Sequence, residues 1–380
     1  MIAAKKLTYL TGTRADFGVM LPILRALDAS DAIDLDLLVT GMHMSEKFGH
    51  TLNEVEGSGL RIASAFSCSI EEDSGPGMAR SVAEVTRAVA DFLEAHPRDG
   101  LILLGDRGEM LAGATAALFC GVPILHIAGG EVSGSVDDSI RHAISKLAHV
   151  HLVAAEDGRQ RLLGLGEEAE RIHLVGAPGL PGLKQLASVP LQALADRYGF
   201  SAQSDYVLLL FHPVVQDAMS AGRQFRVVLD ALRERNLQIV ALLPNADHGT
   251  GHIRNEIDRA SELGQVSRVT HMPREDYLSV MRNARFLIGN SSSGIVEAAT
   301  LETAVVNIGD RQAGRLRGPN VFDAELEPAS IDRAIDAAMT FDTRGLENVY
   351  GTDEADRNIR HVIENIDLAD TRLLKKAMTY

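Results

Sequence analysis

Short apolar runs recur along the chain, each closed by Gly, Pro or a polar turn and followed by a segment of helical period. That alternation predicts βα units in parallel sheets covered on both faces, because such strands read as continuous apolar runs. In the first half the predicted strands are Leu7 to Leu10, Leu35 to Val39, Leu101 to Leu104, Pro123 to Ile127, His151 to Ala154 and Ile172 to Val175. In the second half they are Tyr206 to Phe211, Gln238 to Leu243, Arg268 to Thr270, Phe286 to Ile288 and Ala304 to Ile308. Two such sets predict two doubly wound α/β domains.

Between the sets, the breaker-rich Gly176-Ala-Pro-Gly-Leu-Pro-Gly182 reads as a linker, which places a boundary near Leu186. The expected organisation is a first domain over 1–186, a second over 187–357, and a helical C-terminal segment over 358–380 whose packing is left open. A length of 380 residues supports that division, with a core in each domain.

Ligands of open parallel sheets bind beyond the carboxyl ends of the strands, and the unusual polar residues lie there. They include Thr11-Gly-Thr-Arg-Ala-Asp-Phe-Gly18, Thr40-Gly-Met-His43, Gly105-Asp-Arg107 and Ala128-Gly-Gly-Glu131. The second half adds His212-Pro213, Pro244-Asn-Ala-Asp247, Asn290-Ser-Ser-Ser-Gly294 and Gly309-Asp-Arg311.

A net charge of −15 argues against attraction to nucleic acid or anionic membrane and leaves a small molecule as the expected ligand. Two cysteines, Cys68 and Cys120, make no disulfide framework. The first residues run straight into a strand without a leader-like apolar stretch, and no run approaches the roughly 20 apolar residues of a membrane span. The expectation is a cytoplasmic protein.

Asn290-Ser-Ser-Ser-Gly294 offers backbone N–H groups and hydroxyls to an anion, and the excess of serines over the needs of an N-cap favours a diphosphate. It lacks the lysine of a P-loop. Glu297, expected one turn into the following helix, suits either a ribose diol or the helix dipole. Arg14, Arg107 and Arg311 each follow an apolar run and suit bidentate phosphate binding. Asp16, Asp106, Glu131, Asp137 and Asp138 are candidates for acid–base work, with ion pairing to Arg14, Arg107 and Arg141 as the alternative. His212 is the best-placed histidine. His142, His149 and His151 form no HExxH pattern and no His/Cys pairing has zinc-finger spacing, so a metal is not expected. No nucleophile elbow is visible, and Thr11-Gly12-Thr13 with Gly18 departs from dinucleotide-binding spacing, which weakens a nicotinamide or flavin cofactor.

These segments, together with the run from Gly129 to His149 and with Arg311-Gln-Ala-Gly-Arg315, resemble the hydrolysing UDP-N-acetylglucosamine 2-epimerases of sialic-acid and legionaminic-acid synthesis, across nearly the whole chain. The resemblance implies a GT-B fold, with two Rossmann-like domains facing across a cleft. It implies removal of the C2 proton, loss of UDP to give a glycal, and hydration to a free N-acetylmannosamine-type sugar. Asp106, Glu131 and Asp137 would serve proton transfer and sugar positioning. His212, Asn245, Met272, Ser291, Ser292, Glu297 and Arg311 would contact the UDP-sugar, joined by Arg14 and Arg107. A UDP-sugar substrate, UDP product and a homo-oligomer are the implied partners.

Two departures stand out. Ala128 occupies the place where relatives carry a Glu or His before the Gly-Gly pair, so Glu131 or another group takes that role, or the substrate differs, or activity is weak. Gly251 and Thr270 replace lysines of the vertebrate feedback site, so that inhibition is not expected. The expected substrate is UDP-N-acetylglucosamine, with UDP-2,4-diacetamido-2,4,6-trideoxyglucose as the alternative. A GT-B glycosyltransferase and a catalytically inactive nucleotide-sugar binder are the competing readings.

Overall fold

The computed structural model describes residues 4–70, 72, 74–133, 136–235, 237–244 and 247–379. It divides into two compact units. The first comprises the chain to Val132, Val136–Pro181 and the chain from Tyr350 onward, and the second is chiefly Gly182–Val349. The crossing at Gly182 lies ahead of the expected Leu186, inside the Pro/Gly-rich segment, and the return at Tyr350 lies ahead of the expected 357.

The first unit holds β1 (Lys5–Thr11), β2 (Ile33–Val39), β3 (Ile62–Ala65), β4 (Gly100–Leu104), β5 (Ile124–Ile127), β6 (Val150–Val153) and β7 (Ile172–Leu174). They form one parallel sheet in the order β3-β2-β1-β4-β5-β6-β7. The second unit holds β8 (Tyr206–Leu210), β9 (Gln238–Leu242), β10 (Ser267–Val269), β11 (Leu287–Gly289), β12 (Val305–Ile308) and β13 (Val321–Ala324), in the parallel order β10-β9-β8-β11-β12-β13. Strand order reverses between β1 and β4 and again between β8 and β11, and such switch points open a crevice for ligand.

Successive strand residues feed opposite faces, which is why the runs are apolar throughout. Leu7, Tyr9, Leu37 and Leu125 enter one core layer of the first unit, while Leu10, Leu38, Leu101 and Ile124 enter the other. Two strands escaped the pattern reading. β3 alternates half-buried and exposed residues and β13 is only partly buried; each is a four-residue edge strand with too little apolar surface to stand out.

The C-terminal segment packs on the first unit. Ile359 and Ile363 of the helix Ala355–Asn365 join its core, and the Lys5 ammonium donates to the carbonyls of Ile363, Glu364 and Ile366, capping the helix end. The helix stops at Asn365, so only the first part of the segment expected to be helical over 358–380 is helix. Beyond it the Asp367 and Asp370 carboxylates accept from the N–H groups of Ala369 and Arg372, local bonds that compete with helix. The Arg171 guanidinium then donates to the carbonyls of Leu373 and Lys375.

Candidate active site

In the first unit, β1 ends at Thr11 and the chain turns through Gly12 and Thr13 into the helix Arg14–Asp28. The Thr13 hydroxyl accepts from the Asp16 N–H at 3.2 Å, and the Asp16 carboxylate accepts from the Thr13 N–H at 2.7 Å. This capping box also draws the Gly12 N–H and the Thr11 hydroxyl to Asp16. Burial pushes the Asp16 carboxyl up, against the pull of His43 and of these hydrogen bonds. Asp16 therefore builds the loop, which separates it from the other carboxylates considered for proton transfer. Arg14 begins the helix, half-buried.

Two of the acid–base candidates meet around an arginine. Asp106 follows β4, and its carboxylate pairs with the Arg141 guanidinium, which also donates to the Ala128 carbonyl at 2.8 Å and lies 3.9 Å from Glu131. Arg141 is only 3% exposed, whereas Asp106 keeps 23% of its side chain open. It projects from the helix Val136–Leu147, whose first turn carries Asp137 and Asp138. The arrangement sets one buried cation against two carboxylates. Arg107 caps the helix Gly108–Phe119, its Nε 3.5 Å from Glu109.

Ala128 has φ +58°, a left-handed conformation that costs a non-glycine residue on the order of 1 kcal/mol. Gly130, at φ +73°, lies so close to the Gly158 carbonyl that a Cβ would sit 2.3 Å from its oxygen. This tight path carries the chain from β5 to Glu131. Beneath it, His126 is fully buried, with Nε2 2.7 Å from the Gly105 carbonyl; burial lowers its pKa to about 3 and keeps the imidazole neutral.

In the second unit, His212 follows β8, Asn290 follows β11 and Arg311 follows β12. The Asn290 carboxamide accepts from the His212 N–H at 2.7 Å and donates to the His212 carbonyl at 2.8 Å. Its own carbonyl accepts from Arg311 and from Gln312, each at 3.0 Å. Gly289 makes this approach possible: at φ +141°, a Cβ would sit 1.9 Å from the Leu210 carbonyl oxygen.

Ser291 caps the short helix Ser292–Val296, with its hydroxyl 3.0 Å from that of Ser293, which in turn bonds the Tyr277 hydroxyl. Ser291 is buried and Ser292 exposed. Glu297 is the C-cap of this five-residue helix, which corrects the expectation of a carboxylate at its N-terminal turn beside the positive end of the dipole. Glu297 pairs instead with Arg274 at 2.6 Å. Met272 is buried just before the helix Arg274–Asn283. Asn245 lies outside the described residues.

His212, Arg311, the serines, Asp106 and Glu131 thus lie beyond strand ends, where the pattern placed them, while Asn290 as a junction and Arg274 as the partner of Glu297 were not read from the sequence. Asn290 stood in view inside Asn290-Ser-Ser-Ser-Gly294 without signalling its carboxamide's use; Arg274 offered no local signal. Among the described residues, no group of three His, Cys, Asp or Glu side chains is placed to hold a metal ion, and no helix is long and apolar enough to cross a membrane.

The family model for UDP-N-acetylglucosamine 2-epimerase matches residues 25–364. The chain belongs to that family. It is 38% identical over 376 residues to a UDP-N,N'-diacetylbacillosamine 2-epimerase (hydrolyzing) of Legionella pneumophila, covering 99% of this chain and 100% of the relative. It is 34% identical to a UDP-N-acetylglucosamine 2-epimerase of Neisseria meningitidis, over 88% of each chain. In fold it is similar to the Methanocaldococcus jannaschii UDP-GlcNAc 2-epimerase solved with UDP-GlcNAc and UDP, with a TM-score of 0.81 at 17% identity over 94% of this chain and 99% of that one. These matches bear out the family resemblance and the GT-B fold of two doubly wound domains.

Proposed function

We propose that this epimerase-family protein hydrolyses a UDP-linked 2-acetamido sugar with inversion at C2. A base takes the C2 proton, the C1–O bond breaks with its electron pair leaving on UDP, and water adds to the resulting glycal. One UDP-sugar and one water thus yield UDP and a free manno-configured sugar. What supports this reading is the family match together with relatives named as hydrolysing 2-epimerases along the whole chain; Arg141 brings Asp106 and Glu131 together beyond β4 and β5, where the chemistry needs carboxylates.

In this reading Asp106, Glu131 and Asp137 handle the protons and position the sugar. His212, Asn245, Met272, Ser291, Ser292, Glu297 and Arg311 bind the UDP-sugar, with Glu297 on the ribose and the serines on the diphosphate, and Arg14 and Arg107 supply positive charge. Such charge favours a departing diphosphate more than the bound ground state. Ala128 offers no proton-carrying side chain, which leaves that work to Glu131.

The end-to-end match to the Legionella enzyme supports UDP-2,4-diacetamido-2,4,6-trideoxyglucose, the sugar in that relative's name, over UDP-N-acetylglucosamine. The free sugar would then feed nonulosonic-acid synthesis by a cytoplasmic homo-oligomer. Proton NMR of the protein with each sugar in D₂O tests this: deuterium at C2 of a free manno-configured product identifies both reaction and substrate. A UDP-linked product would indicate a non-hydrolysing epimerase, and bound UDP without turnover on either sugar would leave a binding protein.

A further inference from the structure

We propose that Asn290 is a positioning residue for nucleotide binding, its carboxamide fixing the His212 backbone and so the place from which the His212 side chain meets the ligand. This rests on the reading that the second unit holds UDP. The two residues it joins stand beyond β8 and β12, on either side of Asn290 at the end of β11. The strand order of this sheet reverses between β8 and β11, so the crevice for ligand opens where the Asn290 side chain crosses.

Parallel strands stop exchanging hydrogen bonds where they diverge at such a switch point, and backbone groups beyond it need other partners. Asn290 supplies them. Its carboxamide is 2% exposed as part of a buried residue, and it meets both the N–H and the carbonyl of His212, at 2.7 and 2.8 Å. Only an amide side chain offers one donor and one acceptor in this planar arrangement; Asp would present two acceptors, one of them against the His212 carbonyl. The Asn290 N–H donates back to Leu210 at 3.2 Å, so the residue is anchored to β8 at two points.

The Asn290 carbonyl does a second job. It receives Arg311 Nη1 and Gln312 Nε2, each at 3.0 Å, and Gln312 is 1% exposed. One face of the guanidinium is thereby held on a fixed carbonyl, which limits the rotamers from which Arg311 can address an anion. A misplacement of either His212 or Arg311 by even an ångström weakens a charge-assisted contact, because such bonds are short and directional. The Asn290 carboxamide itself is spent on His212, so its influence on nucleotide passes through that residue.

The test is a double-substitution cycle read by calorimetric UDP affinity on the full chain. Asn290→Leu keeps the side-chain volume and removes both carboxamide bonds; Asn290→Ser keeps a small polar group and serves if the leucine variant does not fold. The expected result is a loss of about tenfold in UDP affinity in the wild-type background, shrinking to less than twofold in a His212→Ala background. Steady-state assays should show the same change in KM with kcat altered less than threefold.

Equal losses in both backgrounds would overturn the proposal while leaving UDP binding by the second unit intact, because a general disturbance of the fold does not depend on His212. Unchanged affinity in Asn290→Leu would also overturn it. Absence of UDP binding by the wild-type protein would instead remove the functional reading on which the proposal stands, and the proposal with it.

Discussion

Arg274 and Glu297 form an ion pair of 2.6 Å in the second unit, with the carboxylate 5% and the guanidinium 17% exposed. The carboxylate proposed to meet ribose is thus held by a cation from the start of the helix Arg274–Asn283. Removing one partner of such a pair leaves a nearly buried charge without compensation, which costs about 3 kcal/mol or more. Arg274→Leu should therefore destabilise the protein in urea denaturation by that amount. Adding Glu297→Gln should recover most of the loss, and a double variant no more stable than Arg274→Leu would show that the pair is not the source.

Asp106→Asn should abolish turnover and leave UDP affinity within a few-fold. Asp106 stands with Arg141 and Glu131 in the first unit, whereas the proposed nucleotide contacts His212, Ser291 and Arg311 stand in the second. Parallel turnover assays and UDP titrations check this; preserved turnover would take Asp106 out of proton transfer.

Arg311→Ala should weaken UDP binding, since a lost charge-assisted hydrogen bond costs about 1.5–3 kcal/mol. The same substitution removes the 3.0 Å bond to the Asn290 carbonyl, while Gln312 still occupies that oxygen. Calorimetry with UDP decides, and an unaltered Kd would contradict the assignment.

Stability should fall as pH drops below about 6.5, and His126 should be one cause. Burial lowers its pKa to about 3 in the folded protein, so between about 6.5 and 3 the unfolded chain binds a proton that the folded chain does not. Protonation then favours unfolding, with a slope reaching about 1.4 kcal/mol per pH unit from this residue alone. His126→Gln can still donate to the Gly105 carbonyl and does not titrate. Urea denaturation at pH 7 and pH 5 should show a smaller difference for that variant than for wild type; equal differences would assign the effect elsewhere.

The eleven strands read from the pattern are all present; nine are apolar runs buried along most of their length, while the edge strands β7 and β10 are three-residue spans with one buried residue each, picked out by the apolar residues at and beside them. β3 and β13 were not legible, since an edge strand with one open side needs fewer apolar residues and its four-residue spans resemble loops. The candidate site residues were legible for a related reason. A parallel sheet ends its apolar runs at the ligand side, so Asp106, His212 and Arg311 stand out as polar residues within three positions of a strand's end.

Their partnerships were not. Asn290 meets a backbone 78 positions away and Arg274 meets a carboxylate 23 positions away. Local pattern records burial and turn chemistry, which depend on neighbours along the chain. Strand order, by contrast, sets which loops become neighbours in space, and the pairing of buried charges and amides follows from that order. The alternation of apolar runs and polar turns therefore carried the fold class, the two domains and the ends of the strands. The Arg141 cluster, the Arg274–Glu297 pair and the Asn290 junction arose where folding brought distant polar groups out of water and left each needing a partner.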